Sequence, residues 1–71
     1  MSMGTVGIGL TTGFALDTPR MELGEAQELA NEIMAGMERE APYVMPFPSK
    51  GDNVLRWISC AQVAVVTVTT H

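Results

Sequence analysis

Cysteine and histidine, the side chains that most often carry nucleophilic, general-base or metal chemistry, occur once each in this sequence, as Cys60 and His71. A lone cysteine makes no intramolecular disulfide and no four-cysteine zinc site, so a small core has neither staple. Reducing, cytoplasmic surroundings are the expectation that follows. His71 stands last in the sequence, where chains usually fray, and a Ser/His/Asp or Cys/His constellation has no second imidazole to draw on. No catalytic residue is therefore expected, and any enzyme here would have to work with carboxylates alone. Cys60 lies between two apolar runs with no Lys or Arg adjoining it, which favours a buried thiol filling the core over a reactive one.

Positive charge is also scarce. Four Lys and Arg residues against eight Asp and Glu give a net charge of −4 and a pI near 4.6, so an anionic polymer is repelled. Arg20, Arg39, Lys50 and Arg56 are scattered among only four aromatics, Phe14, Tyr43, Phe47 and Trp57, and the basic patch interleaved with aromatics that single strands need is absent. Nucleic acid is not an expected partner. The net charge itself serves the solubility of an ordinary small domain.

Long apolar runs are missing too. The stretch from Val63 to Val66 is far short of the ~20 residues of a spanning helix, and the first ten residues have no basic start and no sustained apolar segment. Neither a membrane segment nor export is expected. Gly7 and Gly9 form a G-x-G, but Gly13 falls one place too late for a dinucleotide fingerprint, and no Lys-Ser/Thr pair closes a phosphate loop. Glu25, Glu28 and Glu32 share one helix face without a histidine or a second carboxylate helix opposite, a pattern that reads as a solvated face. No metal and no cofactor are expected.

Apolar residues, by contrast, are plentiful. They make up 46% of the chain against 17% charged, with mean hydropathy +0.18, which is too apolar for disorder and greasy for so small a soluble monomer. A chain of 71 residues forms one small domain, spanning 1–71, and buries only about 60% of its unfolded surface. Some of the remainder is expected to meet a partner.

The elements follow from periodicity. Val6, Ile8 and Leu10 alternate with Thr5, Gly7 and Gly9 as a strand, and Thr11 to Gly13 turn the chain so that Phe14 to Leu16 run back. Leu23, Ala26, Ala30, Ile33 and Met37, widened by Leu29 and Met34, form a helical stripe that predicts a helix over about 22–40, stopped by Ala41 before Pro42. Pro46 and Pro48 confine Tyr43 to Phe47 to an edge strand or extended arm. Ser49 to Asn53 read as a hairpin loop, Val54 to Ser59 and Val63 to Thr70 as strands, and Cys60 to Gln62 as a break between them.

The expected fold is α+β in the order β-β-α-β-β-β, one helix packed on a small, mainly antiparallel sheet of four or five strands. Val6, Ile8, Leu55 and Trp57 are expected under the helix. The other face, carrying Gly7, Gly9, Thr67 and Thr69, is left bare as a surface for self-association. Tyr43, Met45, Phe47, Arg56 and Trp57 are the candidate contacts for a ligand or partner: an apolar lid or docking arm, with Arg56 beside Trp57 suited to an anion. The function these features suggest is a non-enzymatic module that self-associates through its uncovered sheet face or an edge strand, an accessory or inhibitory protein working as a homodimer or higher assembly and through another protein. The alternative is a binder of a small anion or nucleotide, with its pocket between subunits.

Overall fold

The computed structural model describes residues 2–48 and 55–71; the expected Ser49 to Asn53 loop and Val54 lie outside them. Strand β1, Met3–Leu10, buries Gly4, Val6 and Ile8 and leaves the residues between them half-buried, as its alternation dictates. The turn after it closes with Leu10 N–H donating to Phe14 O at 2.8 Å, and Gly13 takes φ +97°, a left-handed conformation suited to glycine. Strand β2, Ala15–Asp17, returns antiparallel with Ile8 opposite Leu16.

Thr18 then replaces a strand residue. It is fully buried, its N–H donates to Val6 O at 2.9 Å, and its Oγ1 accepts from Val6 N–H at 2.9 Å. Pro19 has no N–H to continue the ladder, and the chain resumes along the same edge of β1 as β3, Met21–Glu22, with Gly4 opposite Met21. This two-residue strand, too short to show a period, makes the observed order β-β-β-α-β-β-β rather than β-β-α-β-β-β. The fold remains α+β, one helix on small antiparallel sheets.

Helix α1 runs over Leu23–Met37, shorter than the expected 22–40. It buries Ala26, Ala30, Ile33 and Gly36 along one stripe, and a Cβ on Gly4 would stand only 3.0 Å from Leu23 Cδ1, so the glycine lets helix and strand close up. The chain leaves the helix early enough for Tyr43 O to accept from Cys60 N–H at 2.9 Å.

Strands β4, Val44–Pro48, and β5, Leu55–Ser59, form a hairpin that is a sheet of its own, which corrects the expected single sheet of four or five strands. The Cys60–Gln62 segment makes one 3-10 turn; Gln62 O accepts from Thr11 N–H at 2.7 Å, so pairing passes there from β4 to β1. Strand β6, Val63–Thr70, then pairs along β1 from Gly4 opposite Thr70 to Leu10 opposite Val63, with a bulge near Gly9. Met45, Phe47 and Ile58 of the hairpin join Val6, Ile8, Ala26, Ile33, Cys60 and Val63 in one core. Burying a side chain such as Phe47 contributes about 1.5–3 kcal/mol relative to exposure.

The hairpin's facing also corrects the placement of Trp57. Residues opposite one another share a face, so Met45 with Ile58 and Phe47 with Arg56 lie on one side, and Val44 with Ser59 and Pro46 with Trp57 on the other. The first side turns inward, and Trp57 is left 66% exposed instead of under the helix.

Candidate functional site

Three surfaces are left outside the core. The first is the side of β1 and β6 away from α1. Thr5 faces Thr69, Gly7 faces Thr67 and Gly9 faces Val65 across it; the three β6 residues are exposed, and among the described residues no second layer is packed there. Its centre is not an empty groove. A Cβ on Gly7 would lie 2.8 Å from both Asp17 Oδ1 and Thr67 Oγ1, and Thr67 Oγ1 donates to Gly7 O at 3.3 Å. Asp17 and Thr67 thus close over Gly7, which gives this glycine a reason within the chain. At Gly9 a Cβ would only touch Val65 at an ordinary 3.7 Å, so the face is flattest there, beside a valine that is 55% exposed.

The second surface is the outer face of the hairpin, where Val44, Pro46 and Trp57 stand exposed together. The five candidate contact residues are consequently divided. Met45 and Phe47 are enclosed in the core, while Arg56 and Trp57 are exposed on opposite faces of β5. Tyr43 is half-buried against α1: the Arg39 guanidinium lies 4.3 Å from its ring centroid and its hydroxyl donates to Glu32 Oε1 at 3.5 Å. Cys60 is fully buried beside it, and burial pushes its thiol up, helped by the Glu32 carboxylate and opposed by Arg39. Such a thiol is a poor nucleophile.

The third surface is a cleft of about 450 Å³ lined by Thr5, Asp17, Thr18, Pro19, Arg20 and His71. His71 N–H donates to Met3 O at 2.9 Å and its Nε2 is 3.1 Å from Thr5 Oγ1, so the residue continues the β6 ladder. Periodicity offered no route to this cleft, because its residues come from three separate segments and none belongs to a motif. Among the described residues no group of three or more His, Cys, Asp or Glu side chains is placed to hold a metal, and no helix is long and apolar enough to cross a membrane. No family profile, curated protein or solved structure matches the chain.

Proposed function

We propose that this protein is a non-enzymatic, self-associating contact module, an accessory or inhibitory protein that acts by occupying other protein surface. The observation that carries the reading is the uncovered side of the main sheet: one helix shields Val6 and Ile8, and Val65, Thr67 and Thr69 on the opposite face meet water. Exposed apolar side chains elsewhere, Trp57 at 66% and Val44 at 54%, support it, since aromatic anchors in apolar surroundings are what protein interfaces use. A native mass spectrum at micromolar concentration tests the proposal. A homodimer or larger assembly is the expected species, and a monomer alone would contradict it.

A second reading draws on the polar cleft, where Arg20 and His71 border, beside the Asp17 carboxylate, a space large enough for a small anion. In that reading the protein binds or sequesters an anionic metabolite. Titration with inorganic phosphate, followed by backbone amide shifts, would move the resonances of Thr18, Arg20 and His71; a spectrum that stays still rules the reading out.

A further inference from the structure

Strand β6 hydrogen-bonds to β1 along one edge, and its other edge carries no strand among the described residues. The direction of each backbone group follows from the ladder. His71 N–H donates to Met3 O, which makes Thr5 with Thr69, Gly7 with Thr67 and Gly9 with Val65 the hydrogen-bonded pairs. The N–H and C=O groups of Val66, Val68 and Thr70 therefore point outward, away from β1.

The other strand edges among the described residues are shorter or interrupted. On β4 the Cys60 N–H to Tyr43 O bond sets the same parity, so Pro46 and Pro48 present their nitrogens to the outer edge, where they have no hydrogen to donate. The edge made by β2 and β3 is cut at Pro19 into pieces of three and two residues. Strand β5 has five residues and ends in the 3-10 turn. Strand β6 has eight, VAVVTVTT, without proline, glycine or charge, and its bulge opposite Gly9 and Leu10 sits at its start, so Val65 to Thr70 run as a regular, uninterrupted edge.

We infer that this edge takes a second copy of the same strand, antiparallel, about a twofold axis at Thr67. The pattern of β6 selects its own copy. The axis places Val66 opposite the partner's Val68 and Val65 opposite the partner's Thr69, both β-branched cross-strand pairs, and brings no charge onto another. It also aligns Val65 to Thr69, the stretch clear of the bulge, with its own copy. Val66 is half-buried and Val68 is 37% exposed on the side that α1 covers, so in the dimer the valine pairs fill the space between two helices lying on one continuous sheet.

The inference rests on the contact-module reading and gives its self-association an edge and a register. Backbone amide exchange on the full chain at high and low concentration tests it. Protection in β6 should show a period of two: Val65, Thr67 and Thr69 protected at every concentration, and Val66, Val68 and Thr70 losing protection at least about tenfold on dilution. Val68→Pro removes an outward N–H that β1 does not use, and should weaken the dimer at least about tenfold with the far-UV spectrum unchanged. Val68→Lys, which places a charge on the same edge, guards against a proline variant that does not fold, and should do likewise. A dimer that survives both substitutions, with Val66, Val68 and Thr70 exchanging freely, overturns the inference and leaves association through the sheet face standing. A chain that stays monomeric overturns both.

Discussion

Gly36 and Gly24 lie in the same helix and answer to different constraints. A Cβ on Gly36 would stand 2.7 Å from Cys60 Sγ and 2.7 Å from Tyr43 Cδ2, whereas one on Gly24 meets nothing within 4 Å. Gly24→Ala should raise stability by about 0.5–1 kcal/mol through unfolded-state entropy. Gly36→Ala gains a similar helix propensity but overpacks the junction, and should lower stability by a net of about 1–2 kcal/mol. Urea titrations of the two variants check the opposite signs. Cys60 supplies a pH dependence. Its folded-state thiol is held above the ordinary value by burial, so the unfolded chain loses that proton first and folding weakens as pH rises past about 8.5. Relative to Cys60→Ala, the wild-type Tm should fall additionally between about pH 8 and 10. Parallel Tm curves would refute the assignment.

At the scale of elements, the prolines of β4 remove the donors from its outer edge. Replacing Pro46 and Pro48 together by threonine would supply two outward N–H donors to that edge, and faster association into thioflavin-binding aggregates is the expected result. Aggregation at the wild-type rate would show that the prolines do not guard it. The helix and β1 were legible in the sequence because Leu23, Ala26, Ala30, Ile33 and Met37 keep one period and Val6, Ile8 and Leu10 another, and each period maps onto a buried face. That Gly7, Gly9, Thr67 and Thr69 share the side away from α1 followed from the same parity. Trp57 was misplaced for a physical reason: a shift of one residue in a strand exchanges its faces, and Leu55, Arg56, Trp57 and Ile58 alternate too weakly to fix which is inward. Met45 and Phe47, two apart on β4, decide it in the folded chain by claiming the core beside Ile58. The two-residue β3 and the polar cleft had no sequence signal, since both are made by segments brought together only in three dimensions.

For the whole molecule, most of the charge lies away from strand β6, although the Asp17 carboxylate stands on the uncovered side of β1. Glu25, Glu28 and Glu32 are exposed on the helix, while β6 carries no charge at all. Repulsion between two chains of net charge −4 opposes their meeting, and the uncharged edge is where that opposition is weakest. Added salt should consequently tighten association. Sedimentation equilibrium over a dilution series from about 100 to 1 μM tests the self-association claim most directly, because it reads the mass of the species across the micromolar range. The account predicts a weight-average mass that rises with concentration from the 7.6 kDa of one chain toward twice that value. A mass fixed at 7.6 kDa throughout the series would contradict it.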